Sequence, residues 1–208
     1  MRSYKVFSIR VLAFALTLLL VQSVMAQSNG PARPVKSDVN VSFKEVKPSG
    51  KFAQLDGLGF SLVYPDNWHT ATGKDTMLIG PPEAMGDSGV AYGLIVGTSD
   101  KEAASLDEAM KQLAQQIMQP NSGMHVSGAP QRITVNGVEG RSQELLGNSP
   151  IQKNGQPLPE HDWLVALPRP QGGLFYLILI SPERDYRELH STYQKIVESV
   201  HSYGEYFV

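Results

Sequence analysis

The sequence predicts an α+β fold, in which helices pack on a mainly antiparallel sheet. Three observations lead to this class. Short segments rich in β-forming residues recur along the chain, two segments place apolar residues at helical spacing, and the dipeptide Asn136-Gly137 is typical of a β-hairpin. The elements follow the order strands, helix, hairpin, two strands, helix, which has too few strand–helix crossovers for a doubly wound parallel sheet.

Three strands are predicted in the first half of the folded region. Phe60–Tyr64 is rich in β-formers and ends at Pro65, because proline cannot donate a hydrogen bond to a strand ladder. Residues 76–80 form the second strand, which stops at two prolines. Residues 89–99 form the third, and their almost continuous apolar character is typical of a strand buried on both faces.

The first helix is predicted to begin after Ser105. Ser105 and Glu108 have the spacing of a capping box, in which the hydroxyl accepts from the third amide and the glutamate reaches back. Pro120 ends the helix. The apolar residues that recur on one face are Leu106, Ala109, Met110, Leu113 and Ile117.

A hairpin and a pair of strands follow the first helix. Residues 131–146 form the hairpin, since Asn136-Gly137 tolerates the positive φ angles of a type I′ turn. Residues 147–160 are rich in Gly, Pro and Asn and are predicted to be a long loop. Residues 161–167 and 174–180 then form two strands, and the second is wholly apolar, which indicates a central position.

The last helix is predicted to begin at Ser181, as N-cap, with Pro182 in the first helical position. Gly204 would end it. Its buried stripe is predicted to consist of Tyr186, Leu189, Tyr193, Ile196, Val197, Val200 and Tyr203.

Residues 1–26 have the layout of a cleaved secretory signal peptide. Three basic residues precede an apolar run at Val11–Val21, and small residues precede a cleavage point after Ala26. A membrane anchor is the alternative, but this run is shorter than the ~20 residues that a spanning helix needs. The chain is therefore expected to be exported, to the periplasm or beyond the cell, with no integral membrane segment after cleavage.

The rest of the chain is predicted to be one domain with short flanks. Residues 27–51 are polar and contain three prolines, which indicates a disordered linker. Residues 52–204 form the single folded domain, and residues 205–208 form a tail. The sequence has no cysteine, so an exported domain of this size must be stabilised by its core rather than by disulfides.

The charge balance excludes one class of partner. Removing residues 1–26 leaves 15 basic against 20 acidic residues, a net charge of −5 with neutral histidines. No cluster of lysine and arginine occurs. Nucleic acids are not expected as partners, because their binding depends on a basic surface that displaces counterions.

The sequence contains no recognisable catalytic or metal-binding motif. It lacks a G-x-S-x-G nucleophile elbow, and its five histidines form neither an H-E-x-x-H nor an H-x-H pattern. His161 begins a predicted strand beside Asp162, where an exposed strand end is favoured over a ligand. His161, Asp162 and His69 are kept as candidate binding residues; no catalytic residue, metal site or cofactor is predicted.

The first strand and its turn match a short family signature. The pattern is aromatic–x–apolar–x–Tyr-Pro–x–x–Trp, formed here by Phe60, Leu62, Tyr64, Pro65 and Trp68. With the order of elements over about residues 52–202, it resembles the PsbP/DcrB/Mog1-like group. The resemblance implies an α/β/α sandwich around an antiparallel sheet and a mostly non-enzymatic role. The chain also resembles the tail domain of some exported bacterial zinc metallopeptidases, without their helical zinc motif.

These observations lead to three functional hypotheses. The first is an exported, soluble, non-catalytic accessory module of the bacterial envelope that binds another envelope or secreted protein. The second is a hydrolase whose site is built from dispersed residues such as His161 and Asp162. The third is a carrier of a small molecule or a metal. Trp68 is expected to cover the core after the first strand, with His69 as its solvent-facing neighbour.

Overall fold

The computed structural model describes residues 47–202, apart from residues 74–75, 87–88, 101–102, 120–122 and 154–155. The expected signal peptide at residues 1–26, most of the expected linker, Tyr203 of the predicted helix stripe and the tail at residues 205–208 lie outside the described residues.

The structure confirms the α+β class. The helices are α1 (Leu106–Met118) and α2 (Tyr186–Glu198). The strands are β1 (Phe52–Gly57), β2 (Phe60–Pro65), β3 (His69–Thr72), β4 (Thr76–Gly80), β5 (Met85–Gly86), β6 (Gly89–Val90), β7 (Gly93–Ser99), β8 (His125–Val126), β9 (Gln131–Val135), β10 (Val138–Lys153), β11 (Gln156–Pro168), β12 (Leu174–Pro182) and β13 (His201–Ser202).

Eight strands form one antiparallel sheet. Their order is β3-β4-β7-β12-β11-β10-β8, and β9 pairs with β10 beside β8. Strands β1, β2 and β13 form a smaller sheet. The rings of Phe60 in β2 and Phe175 in β12 stack with centroids 3.6 Å apart, so the smaller sheet packs on the larger one.

The two helices lie on opposite faces of the main sheet. Along β12, Phe175, Leu177 and Leu179 belong to the core that contains the apolar stripe of α2. Their neighbours Ile178 and Ile180 belong to the core that contains α1. Side chains alternate across a strand, so a wholly apolar strand must be covered on both faces. The α/β/α arrangement follows, and the expected central position of this strand is confirmed.

The predicted hairpin turn and first helix are also confirmed. Asn136 and Gly137 have φ angles of 47° and 82°, as a type I′ turn requires. Ser105 is the N-cap of α1, and its hydroxyl accepts a hydrogen bond from the Glu108 amide at 3.2 Å. The expected apolar face is buried at Ala109, Met110 and Leu113.

The prediction of a loop at residues 147–160 is wrong. Strands β10 and β11 continue through most of this region, and their pairing extends to Lys153 opposite Gln156. Proline fits a strand where its missing amide is not needed by a neighbour. The register is irregular between Asn148 and Gln152, which accommodates the turn-forming composition without ending the strands.

The predicted start and end of the last helix are also wrong. The helix ends at Glu198 rather than near Gly204, because His201–Ser202 pair with β2 as strand β13. Ser181 and Pro182 still belong to β12, where they pair with His161 and Glu160 of β11. The Ser181 hydroxyl donates to the His161 carbonyl oxygen at 3.0 Å rather than capping a helix. The helix begins at Tyr186, after a 3-10 turn at Glu183–Asp185, because strand pairing overrides the local Ser-Pro signal.

Candidate functional site

His161 lies in a cluster on the α2 face of the sheet. Alternation along β11 places it on the same face as Val165, and only 8% of the residue is exposed. Its Nδ1 atom lies 2.9 Å from a Glu183 carboxylate oxygen, and its Nε2 atom lies 3.5 Å from a Glu144 carboxylate oxygen. Residues from β10, β11 and the turn before α2 therefore meet at this point.

Tyr186 closes the cluster from the side of α2. Its ring stacks on the His161 ring, with centroids 3.5 Å apart and planes inclined by 9°. Its hydroxyl donates to Glu144 at 3.1 Å. Burial, followed by the charges of Glu144 and Glu183, raises the pKa of Tyr186 well above its usual range. The phenol therefore stays neutral and remains a donor. We call His161, Glu144, Glu183 and Tyr186 the His161 cluster.

Two further rings support this arrangement. His190, one turn after Tyr186 on α2, meets the Tyr186 ring edge-on at 5.6 Å and stacks on Trp163 at 5.3 Å. His190 is half-buried, as expected for a residue at the boundary of the apolar stripe. The four rings attach the start of α2 to β11, so the His161 cluster is part of the packing between helix and sheet.

The expectation that His161 is an exposed strand end is wrong. That expectation relied on residues 147–160 forming a loop, which would have left His161 at the start of its strand. In the structure β11 begins at Gln156, so His161 lies inside the strand between β10 and β12. Its burial follows from this extension.

The chemistry available to His161 is limited by its surroundings. A histidine between two carboxylates has the composition of an acid–base group. However, neither nitrogen has hydrogen-bond alignment to a partner among the described residues, and Tyr186 covers one ring face. Four cavities in the described part of the chain, of about 10 to 490 Å³, are lined by residues outside the His161 cluster. The geometry favours a structural role.

Asp162 lies on the opposite face of the sheet from His161. It shares that face with Glu160 and Leu164, and Asp162 and Glu160 are 2% and 4% exposed. Burial raises the pKa of Asp162 well above its usual range, and the Glu160 charge adds to this effect. Burial raises the pKa of Glu160 to about 7, against a hydrogen bond from Ser149 that lowers it. Asp162 therefore shares its face, and interacts electrostatically, with another carboxyl and not with His161.

His69 lies apart from both groups. It is the first residue of β3, at one edge of the main sheet, and its side chain is exposed as expected. The preceding Trp68 is only 2% exposed and belongs to the core that contains α2, which confirms its predicted packing role. The structure thus separates His69 from His161 and Asp162.

The largest of the four cavities is a groove beside α1, which we call the α1 groove. It has a volume of about 490 Å³, within the range of ligand-binding clefts. Its apolar part is formed by Ala114 and Met118 of α1 and by Val126 and Pro130 at the sheet edge. The remaining lining residues are Ser105, Asp107, Glu108, Lys111, Gln115, Gly128 and Gln143.

The floor and outer wall of the α1 groove are fixed by the sheet. Gln143 of β10 is buried, and its side-chain amide donates to the Gly128 carbonyl at 2.8 Å. The Ser127 amide donates to the Glu144 carbonyl at 2.8 Å. Val126 is 38% exposed, an unusual exposure for a large apolar residue in this domain. The groove therefore combines a rigid frame with an accessible apolar wall.

Sequence reasoning did not identify Glu144, Glu183 or the residues of the α1 groove. The pairing of β10 with β11 brings Glu144 next to His161, and no local sequence pattern predicts that register.

Within residues 47–202 as described, no helix is long and apolar enough to cross a membrane. The same residues contain no group of three or more side chains placed to hold a metal ion.

No protein-family model and no curated protein sequence matches the chain. A solved structure of PsbP from Synechocystis sp. PCC 6803 matches with a TM-score of 0.52 and 13% identity, over 73% of this chain and 92% of that chain. The Ran-binding protein Mog1p of Saccharomyces cerevisiae matches with a TM-score of 0.49 and 9% identity, over 74% of this chain and 96% of that chain. The expected PsbP-type fold is confirmed; identity this low shows the fold alone.

Proposed function

We propose that this protein is an exported, non-catalytic module of the bacterial envelope that binds another envelope or secreted protein through the α1 groove. The observation that carries the proposal is the accessible apolar wall of the groove, formed by Met118 and Val126. The signal-like layout of residues 1–26 supports export.

The geometry favours a polypeptide as the occupant of the α1 groove. The groove runs beside a helix of 13 residues, which is about 20 Å long. Its outer wall is the edge of the main sheet at β8, which has only two residues. Such an edge offers backbone donors and acceptors to an added strand, while the apolar wall receives a side chain.

The binding proposal predicts that a charge in the groove wall abolishes binding. A photoactivatable cross-linker at position 126 should capture one envelope protein, whose purified form is then used to measure affinity. Val126→Asp should weaken this affinity at least tenfold, because an exposed carboxylate would have to be buried. The matched control is Thr70→Asp on the exposed β3 at the other edge of the sheet, which should bind as the parent does.

Two outcomes would contradict the binding proposal. One is equal affinity of Val126→Asp and Thr70→Asp for the captured protein, which would place the interface elsewhere. The other is turnover of ester, peptide or glycoside substrates by the purified protein at a rate that His161→Gln abolishes. Thermal melting of both aspartate variants distinguishes lost binding from lost folding.

Export is tested separately from binding. The full chain should be recovered outside the cytoplasm with residues 1–26 removed, as an intact-mass measurement would detect. Leu18→Arg places a charge in the apolar run and should leave the uncut chain in the cytoplasm, whereas Leu18→Ala should still be processed. Recovery of uncut parent protein in the cytoplasm would overturn the export proposal.

A further inference from the structure

Strands β10 and β11 extend beyond the rest of the main sheet. The pairing of β12 with β11 ends at Pro182 opposite Glu160, whereas β10 and β11 remain paired as far as Lys153 opposite Gln156. We call residues 147–153 and 156–159 the arm. Among the described strands, its two halves pair only with each other beyond Glu160.

The arm is irregular at its base. Asn148 is paired with Pro159, and the next pair is Gln152 with Pro157, so three residues of β10 lie opposite one residue of β11. Such a bulge leaves backbone groups outside the ladder and bends the strand. The two prolines of β11 remove amide donors at the same place. The base of the arm is therefore a place where pairing is weak.

Two buried carboxyl groups lie beside this weak base. Glu160 is the residue nearest the arm at which β11 still pairs with β12. Asp162 lies two residues further along β11, on the same face. Ser149, in the bulge, makes a side-chain hydrogen bond to Glu160. Among the described residues, none hydrogen-bonds to Glu160 Oε2 or Asp162 Oδ1. The pair thus joins the arm to the body of the sheet, and no cation among the described side chains contributes to the pKa of either carboxyl.

The charged and titratable groups around the pair do not offset a negative charge. The charge that acts on Asp162 is that of Glu160. Tyr193 of α2 lies on the opposite face of the sheet, where burial and the charges of Tyr92 and Asp162 raise the pKa of its phenol, so that it stays neutral. The exposed His125 lies on β8, and the carboxylates around His161 lie on the other face. Two carboxyls that are both buried on one face, where the charge of one raises the pKa of the other, oppose each other's ionisation unless water is admitted.

Ionisation of Glu160 must therefore be coupled to a change that admits water. The body of the sheet is held on both sides by neighbouring strands and on both faces by helices. Among the described strands, none pairs with the arm from outside, although Gly147 lies against the backbone of Met124 and Ser149 is buried. Detachment of the arm therefore costs fewer contacts than opening of the body of the sheet. We propose that Glu160 and Asp162 form a proton-operated clasp that holds the arm on the sheet when protonated and releases it when the proton is lost.

The direction of the effect follows from proton linkage. A carboxyl that keeps its proton more strongly in the closed arm stabilises the closed state at low pH. That stabilisation declines as the pH rises from 4.5, the ordinary value for Glu160, to about 7, its value in the closed arm. Above about pH 7, Glu160 is ionised in both the closed and the open arm. A further rise in pH therefore no longer changes the free-energy difference between the two states. This inference is independent of the α1 groove and of export.

Hydrogen exchange of the full chain tests the clasp. After correction for intrinsic exchange, amides of residues 147–153 should open roughly 10- to 100-fold more often at pH 8 than at pH 5. Amides of β12 should not show this change. In Glu160→Gln most of this pH dependence should be lost, because glutamine cannot ionise and Asp162 is the one carboxyl of the pair that still titrates. Glu83→Gln, at an exposed glutamate of a 3-10 turn, is the matched control and should behave as the parent.

The proposal is overturned if the arm of the parent protein opens equally at pH 5 and pH 8, or if Glu160→Gln keeps the parental pH dependence. Should Glu160→Gln fail to fold, Asp162→Asn provides the second variant and should reduce the pH dependence, because it removes the second titrating carboxyl of the pair. The parent measurement alone remains decisive, since it requires no substitution.

Discussion

Trp68→Ala should lower the free energy of unfolding by about 3–5 kcal/mol, a range typical for removal of a large buried aromatic ring. Trp68 is 2% exposed, and its ring meets those of Tyr92 and Tyr193 edge-on at 6.4 and 6.5 Å. Alanine would leave a cavity and remove both aromatic contacts. Because Tyr193 belongs to α2, the loss should weaken the attachment of that helix as well.

The Trp68 prediction is checked by urea unfolding followed by circular dichroism, since Trp163 complicates fluorescence. The neighbouring His69→Ala is the matched control. His69 is exposed, so its replacement should change the free energy of unfolding by less than about 0.5 kcal/mol. A loss below about 1 kcal/mol for Trp68→Ala would mean that the ring is not part of the core. The interpretation of the signature tryptophan as a residue that packs over the core would then be wrong.

The sequence predicted the core better than it predicted the site. Each fully buried Leu or Ile contributes ~1.5–3 kcal/mol, so selection for burial leaves a strong apolar pattern. Residues 174–180 are wholly apolar because both α1 and α2 cover them, and that pattern was readable in one segment. Strands β1 and β3 were missed because β1 is only partly buried and β3 is exposed throughout.

Errors in the prediction concentrated where strand pairing overrides local composition. Residues 147–160 contain the glycines, prolines and asparagines of a loop, yet β10 and β11 pair through most of them. Pairing with a long neighbour is a nonlocal effect, so composition alone could not show it. The same extension placed His161 inside a strand and Ser181 at the end of another, which explains three errors by one cause.

The carboxylates next to His161 could not be predicted from the sequence, for a related reason. Glu144 and Glu183 come from elements before and after His161, and only register places them within 2.9 to 3.5 Å of its ring. Asp162 is adjacent in sequence but lies on the other face. Because successive side chains of a strand point to opposite faces, the adjacency of His161 and Asp162 in the sequence indicated the wrong partner for His161.

Gly93→Ala should destabilise the domain about as strongly as Trp68→Ala, by roughly 3–5 kcal/mol, the sum of backbone strain and overpacking. Gly93 has a φ angle of 137°, which a residue with a side chain rarely adopts. A Cβ atom there would lie 2.2 Å from the Ile79 carbonyl oxygen and 2.8 Å from Gly80 Cα. Both contacts are with the backbone of β4, so neither can be relieved by a side-chain rotation.

Gly137→Ala separates the two causes of this loss. Gly137 also has a positive φ angle, 82°, but a Cβ atom would meet nothing within 4 Å. Its replacement should therefore cost only the strain, about 1–2 kcal/mol. Thermal melting of both variants measures the difference. Equal losses would mean that β4 and β7 can separate at Gly93 to accommodate the methyl group. The close approach at Gly93 also accompanies a break in the predicted strand at residues 89–99, which the structure divides into β6 and β7.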